Sequence, residues 1–290
     1  MKPSAFEYSR PESIGEAVNL LAELGSDAKV LAGGQSLIPL LSMRLAAPAH
    51  LIDINRITEL SYVSADGGGV RVGALARHSA VERDVDGRDR QPLLSQALRL
   101  VAHPTIRNRG TTLGSIVHAD PAGEMPAVLC MLGGSVTVAS LSGRRVIAAE
   151  DFFLGPLESA IQPDELAIEA FFPALSELSG TAFEEVSRRQ GDYALCGVAV
   201  LVSLDADLRI GSARAGYLSL AGTPLVVDLT EVLAGRTFDS DLSAAGNLAR
   251  TVVDPAADIH ATADYRRQLA AVLTDRAVRS AARTAAGGSA

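Results

Sequence analysis

Ala32-Gly33-Gly34-Gln35-Ser36 lies between the apolar run Lys29-Val30-Leu31 and the amphipathic run Leu37-Ile38-Pro39-Leu40-Leu41. This order of residues predicts a strand, a tight turn and a helix start. Two residues without Cβ let another group approach the backbone closely, and a helix start offers unpaired N–H groups and the positive end of its dipole. The turn is therefore a candidate anion site. A plain strand-to-helix connection would look the same, so the choice rests on the rest of the chain.

Glu12 to Leu24 places Ile14, Ala17, Val18, Leu20, Leu21 and Leu24 at helical spacing, with Ser13 as cap and Gly25 as stop. The Gly-Gly turn follows, then a helical stretch to about Arg44 and a compact strand at Leu51-Ile52-Asp53-Ile54. The alternation is βαβ-like over residues 1–57, and it lacks a G-x-G-x-x-G fingerprint. Tyr62 to Ala74 reads as a hairpin about Gly67-Gly68-Gly69, His78 to Arg83 as a short helix, and Gln91 to Ala102 as a helix ending before Pro104. Ile106 to Pro121 is rich in Gly, Thr and Ser and reads as a second glycine-rich loop. Met125 to Leu132 is a buried helix, and Ser135–Ala139, Arg144–Ala148 and Glu165–Phe172 are antiparallel strands. Beyond Gly180, three antiparallel strands are expected at Ala182–Arg188, Gly197–Leu204 and Leu208–Leu220, the last two joined by a turn at Asp205-Ala206-Asp207. Helices follow near 229–233, 242–251 and 263–286, and a tail at 287–290 is expected to fray.

With 290 residues, 48% of them hydrophobic, the chain has material for two or three packed units. A net charge of -8 argues against nucleic acid as a principal partner, because phosphate neutralisation needs a basic face. Cys130 and Cys196 lack the paired spacings of zinc or iron–sulfur ligands and are expected as buried thiols. No apolar run approaches the ~20 residues of a membrane span, and residues 1–13 lack a leader-like apolar core, so a cytoplasmic location is expected.

The loops at 32–36 and 110–115 are expected to close on a diphosphate from opposite sides using backbone N–H groups rather than lysines. Asp120 fits a carboxylate accepting hydrogen bonds from polyol hydroxyls, although taken alone it reads first as a turn residue before Pro121. Tyr193, in the charged turn Arg188-Arg189-Gln190-Gly191-Asp192, can either lie over a planar cofactor or simply pack. His50, His78, His103, His118 and His260 show no metal-ligand spacing, and His103 reads as a surface loop residue. No nucleophile elbow or P-loop is present.

Together, Ala32-Gly33-Gly34-Gln35-Ser36-Leu37-Ile38-Pro39, Arg107-Asn108-Arg109-Gly110-Thr111, His118-Ala119-Asp120-Pro121 and Arg188-Arg189-Gln190-Gly191-Asp192-Tyr193 resemble the FAD-binding medium subunits of the molybdenum hydroxylases. That family includes the carbon monoxide and xanthine dehydrogenases. Asp264-Tyr265-Arg266-Arg267 before an apolar helix resembles its C-terminal domain, and the likeness runs in order over nearly the whole chain.

The resemblance implies an α+β fold: a two-subdomain, PCMH/VAO-like FAD-binding region, divided here as 1–57 and 58–177, and a C-terminal domain, 178–290, with a three-stranded antiparallel sheet and helices. It implies FAD contacts from Lys29, Val30, Leu31, Ala32, Gly33, Gly34, Gln35, Ser36 and Leu37. From the second subdomain it implies Ala102, Ile106, Gly110, Thr111, Leu113, Gly114, Ser115, Asp120 and Leu166, with Tyr193 beside the isoalloxazine ring. No residue is assigned as catalytic or as a metal ligand. The implied partners are a small subunit with two [2Fe-2S] clusters and a large molybdenum-cofactor subunit, in a dimer of heterotrimers. A stand-alone FAD oxidoreductase and a flavin-free assembly subunit are the alternatives. Leu113 stands where the family reads glycine, which is expected to shift one close backbone approach. Glu184-Glu185 stands where members often carry a lysine, which is expected to place negative charge near the flavin. The cysteine-rich insertion of the benzoyl-CoA reductase branch is absent.

Overall fold

The computed structural model describes residues 2–287; of the tail expected to fray at 287–290, residues 288–290 lie outside them. The chain opens with β1 (Glu7–Ser9) and α1 (Ile14–Leu24). Ser13 Oγ accepts from the Glu16 amide at 3.2 Å, Ala17, Val18 and Leu21 form the buried face, and Gly25 ends the helix at φ +53°. Then come β2 (Ala28–Leu31), α2 (Leu37–Met43) and β3 (His50–Asp53). The strands make a parallel sheet in the order β1-β3-β2, with His50 opposite both Glu7 and Ala28. The carboxyl ends of β2 and β3 and the Gly-Gly turn therefore meet at one edge, the usual ligand side of a parallel sheet.

The middle of the chain supplies β4 (Val63–Asp66), β5 (Gly69–Gly73), α3 (His78–Arg83), α4 (Val85–Arg90), α5 (Pro92–Leu98), α6 (Pro104–Arg107), α7 (Thr112–His118) and α8 (Glu124–Leu132). It continues through β6 (Ser135–Ser140), β7 (Gly143–Ala148), α9 (Ala149–Phe152), the small hairpin β8 (Phe153–Gly155) and β9 (Glu158–Ser159), and β10 (Leu166–Pro173). An antiparallel sheet runs β4-β5-β10-β6-β7. One apolar core serves both sheets, from Ala17 and Val18 on α1 to Val136 and Phe172, so the division proposed near residue 57 separates two sheets rather than two cores.

The remaining sheet is β11 (Ser179–Ser187), β12 (Ala194–Leu204), β13 (Ile210–Leu218) and β14 (Leu225–Asp228) in sequence order, followed by α10 (Thr230–Leu233), α11 (Ala244–Val252) and α12 (Ala263–Ala285). It has four strands where three were expected. The added strand, β14, is a short edge that pairs with Arg214–Tyr217 just after Pro224. Gly180 lets β11 lie directly on α12: a Cβ there would stand 2.1 Å from the Ala281 carbonyl. In the same core the Tyr217 hydroxyl and Thr274 Oγ1 share a hydrogen bond of 2.7 Å. Tyr217→Phe is expected to lower unfolding free energy by ~1 kcal/mol, measured by denaturant titration, because it leaves a buried hydroxyl without its partner.

Helix α8 connects the halves. It packs beneath β13, where a Cβ on Gly216 would come within 2.6 Å of Met131 Cβ. Among the described residues no helix is long and apolar enough to cross a membrane, and no group of His, Cys, Asp and Glu is placed to hold a metal. Cys196 is buried as expected, whereas Cys130 is only half-buried; burial pushes both thiols up to about 12, which makes them poor nucleophiles.

Candidate functional site

The turn after β2 carries the strongest anion-binding feature. Gly34 adopts φ +75°, which turns the chain into α2, and Gln35 Nε2 donates back to the Gly33 carbonyl at 3.2 Å. Asn55 Nδ2 holds the Ala32 carbonyl at 2.8 Å. Among the described residues the amides of Gly33, Gly34, Gln35 and Ser36 donate to no protein acceptor. Four consecutive N–H groups without a protein acceptor, ahead of a helix, are available to an anion.

Residues 110–115, expected as a loop, are instead the end of one turn and the start of α7. Thr111 caps that helix, its Oγ1 accepting from the Gly114 amide at 3.1 Å. The physical reason lies in the residues: Thr at the cap with Leu113, Ile116 and Val117 at helical spacing outweighs the glycines. Most N–H groups here are already used. Gly110 donates to Ile106, Thr112 to Ala76, and Ser115 to Thr111. The expected symmetry of two N–H-rich loops is therefore replaced by one rich loop and one helix cap. Leu113 is buried in the core at 1% exposure, so its side chain takes no space between the loops.

The two segments touch. A Cβ on Gly33 would stand 2.5 Å from the Arg109 carbonyl, 2.8 Å from Gly110 Cα and 3.0 Å from the Thr111 nitrogen. Gly33 is thus required first for loop-to-loop contact. His78, which the motifs left aside, supports this contact from α3: its amide donates to the Gly110 carbonyl and its ring Nδ1 meets Thr112 Oγ1 at 3.2 Å. Burial, with the nearby Arg107 charge, lowers its pKa to about 4, so it is a neutral prop. Arg77 and Asn55 were likewise missed. Arg77 binds the Arg109 carbonyl and Asn55 Oδ1, tying β3 to the second segment. The Asp-x-Asn spacing at 53–55, in which Asp53 Oδ1 accepts from the Asn55 amide, was the available signal.

A second group of residues gathers where α8 meets β11 and β12. Asp120 forms the turn expected of it, Oδ1 accepting from the Ala122 amide at 2.9 Å. Partial desolvation and the neighbouring carboxylates of Asp120 and Glu124 raise the pKa of Tyr193, a residue that is 70% exposed. The turn carrying Tyr193 rests on exposed His103, because Gly191 at φ +84° leaves room for the imidazole against its Cα. Asp120 and Tyr193 are thus brought together, facing each other across the junction of the two halves.

Glu185 and Glu124 are part of the same group. Burial raises Glu185 to about 8, aided by Glu124, and its Oε2 has no hydrogen-bond partner. Burial raises Glu124 to about 7, with Asp120 adding to the shift. The fixed negative charge expected at Glu185 is therefore corrected to a carboxyl that keeps its proton at neutral pH, because a buried carboxylate beside another loses solvation without gaining a cation. Glu124 carried no motif that would have singled it out.

Of the other candidates, Ala102 sits in the turn before α6 at φ +44°, Ile106 supplies the carbonyl that Gly110 caps, and Leu166 is a buried residue at the start of β10. Lys29 is exposed on β2, and Val30, Leu31 and Leu37 flank the turn.

Residues 4–175 match the family model for the FAD binding domain in molybdopterin dehydrogenase, and 181–281 that for the CO dehydrogenase flavoprotein C-terminal domain. The chain is 44% identical to caffeine dehydrogenase subunit beta of Pseudomonas sp. (strain CBB1), covering 97% of this chain and 96% of that protein. It is 37% identical to the carbon monoxide dehydrogenase medium chain of Hydrogenophaga pseudoflava, over 97% and 98%. The structure of the Hydrogenophaga pseudoflava carbon monoxide dehydrogenase superposes with a TM-score of 0.91 over 97% of this chain and 98% of that one, at 37% identity. Quinoline 2-oxidoreductase from Pseudomonas putida 86 does so with 0.92 over 98% and 99%, at 34% identity. The free amides of the first turn and the two-part architecture suit that family's cofactor, and the chain belongs to the FAD-binding medium subunits of the carbon monoxide and xanthine dehydrogenase family, as an oxidoreductase subunit.

Proposed function

We propose that this chain is the electron-transfer subunit of a heterotrimeric molybdenum hydroxylase. In this reading it accepts electrons from the [2Fe-2S] clusters of a small partner and passes them to an external acceptor, while a large molybdenum-cofactor partner hydroxylates the substrate. The observation that carries it is the row of free amides at Gly33–Ser36, closed against residues 109–111, in a chain matching its relatives end to end. FAD, when bound, supplies a two-electron carrier able to exchange single electrons with iron–sulfur clusters.

The chain's own residues bind and orient. The Gly33–Ser36 amides, joined by the Thr111 and Leu113 amides left unused at the α7 cap, take the diphosphate, Asp120 accepts from a cofactor hydroxyl, and Tyr193 covers the ring system. Relatives named for caffeine and for carbon monoxide share this whole chain length, which favours substrate choice residing in a different subunit.

The purified chain is expected to carry one FAD and to oxidise no organic substrate by itself. Co-expressed with [2Fe-2S] and molybdenum partners, it is expected to show flavin bleaching on substrate addition. Glu124, raised to about 7 by burial, gives the stand-alone oxidoreductase a candidate base, so substrate turnover by the single chain would overturn the subunit reading in its favour. A colourless chain that still joins the complex would point to the assembly role.

A further inference from the structure

At the carboxyl ends of β2 and β3, against the turn after α6, lies a cleft of ≈ 370 Å³ that presents Arg10, Arg77 and Arg109. Among the described residues none of these arginines pairs with a carboxylate within 4.0 Å. Arg77 is fixed: Nη1 donates to the Arg109 carbonyl at 2.6 Å and Nη2 to Asn55 Oδ1 at 2.7 Å. Burial and the Arg109 charge both lower its pKa, so the cations oppose one another across the cleft. Arg10 and Arg109 are exposed, and neither guanidinium is hydrogen-bonded or ion-paired within the described residues.

Asp53 is the one carboxylate in the lining, and it is already engaged. Its Oδ2 accepts from the Tyr8 hydroxyl and its Oδ1 from the Asn55 amide and Nδ2. Those bonds lower its pKa against the cost of burial, so it stays ionised and offsets one of the cations. The remaining positive charge, held in a concave and partly desolvated place, is a standing destabilisation that an anion relieves. Guanidinium forks match tetrahedral oxyanions through paired N–H donors, and a doubly charged group balances the excess. The volume lies at the small end of ligand pockets, enough for a phosphate and a modest attached body.

We propose that this cleft, which shares Ala32 and Gly33 with the FAD turn but is otherwise lined by Arg10, Asp53, Asn55, Arg77, Asn108 and Arg109, none of them assigned to FAD, is a second phosphate-binding site that takes the phosphate end of a small molecule. It would lie beside the first glycine turn, with the Gly33–Arg109 contact as one wall, so occupancy would brace the same contact that closes the FAD site.

Inorganic pyrophosphate is the probe, titrated calorimetrically into the FAD-loaded protein at low ionic strength. Binding is expected at one per chain with flavin retained, and weakened at least tenfold in both Arg10→Gln and Arg109→Gln. The Arg10 side chain makes no hydrogen bond or ion pair within the protein and lies outside the residues assigned to FAD, so in Arg10→Gln flavin content and melting temperature are expected to stay at the parent values. Added salt is expected to weaken binding, because the site is open to solvent. Binding seen only after FAD removal and reversed by FAD would assign these arginines to the cofactor's own diphosphate and overturn the separate site, leaving the FAD reading intact. Absence of binding in both forms, or binding indifferent to both substitutions, would also overturn it. Loss of FAD binding by the parent chain with pyrophosphate still bound would refute the FAD reading and uphold this one.

Discussion

Gly33→Val is expected to reduce bound FAD to below a tenth of the parent content while the C-terminal domain stays folded. The smallest side chain already meets backbone on three sides, at 2.5 Å from the Arg109 carbonyl, 2.8 Å from Gly110 Cα and 3.0 Å from the Thr111 nitrogen. Backbone cannot rotate away as a side-chain tip can. The two segments must part, and Arg77 and His78, which grip the second, resist that movement. Overpacking of this kind costs ~1–3 kcal/mol, and each ~1.4 kcal/mol of lost binding is a tenfold change in affinity. Gly67→Ala is the control, since nothing lies within 4 Å of its added methyl. The C-terminal sheet is shielded because its core, around Cys196, Tyr217 and Leu273, is a separate apolar cluster. Absorbance of the purified variant reads the flavin, and protease resistance of residues 179–285 reads the domain. Undiminished FAD in Gly33→Val would remove the turn from the binding site.

This outcome also changes the reason for the glycine. From sequence alone, Gly33 appears as a residue kept small for an incoming phosphate, whereas in the fold its missing Cβ first admits the Arg109–Thr111 backbone. Local patterns were legible wherever periodicity or a cap carried them: α1 between Ser13 and Gly25, the β4–β5 hairpin about its glycines, and α12 from Thr262. β1 and β14 were not, because three or four residues beside proline have no period and exist only through their neighbours in the sheet. The same limit governed the site. Asp120 and Tyr193 could be named from sequence, but their pairing with Glu124 and Glu185 depends on α8 lying under the C-terminal sheet, which no local pattern encodes. His78 and Arg77 act through backbone carbonyls far away in sequence, so nothing in their own neighbourhood marks them.

That acidic group makes stability depend on pH in a direction opposite to ordinary surface carboxylates. Glu185 and Glu124 are raised in the fold from 4.5 to about 8 and about 7, by burial first and by neighbouring carboxylates second. Between the unfolded and folded values the native chain holds more protons than the unfolded one, so unfolding free energy falls as pH rises. The contribution is whole below pH ~4.5 and is lost as the pH passes through the folded values near 7 and 8. Glu185→Gln keeps the shape, stays neutral throughout and removes one like charge from Glu124. The variant is therefore expected to match the parent near pH 5 and to exceed it at pH 9 by on the order of 2 kcal/mol, a figure reduced for solvent reaching a partly exposed pair. Denaturant titrations of both proteins across that range measure it. In the variant the residual slope should shift to lower pH, because Glu124 then titrates beside an amide instead of a carboxylate. Parallel curves for the two proteins from pH 5 to 9 would mean that Glu185 ionises freely in the fold, and that the junction beneath Tyr193 carries the fixed negative charge its sequence first implied.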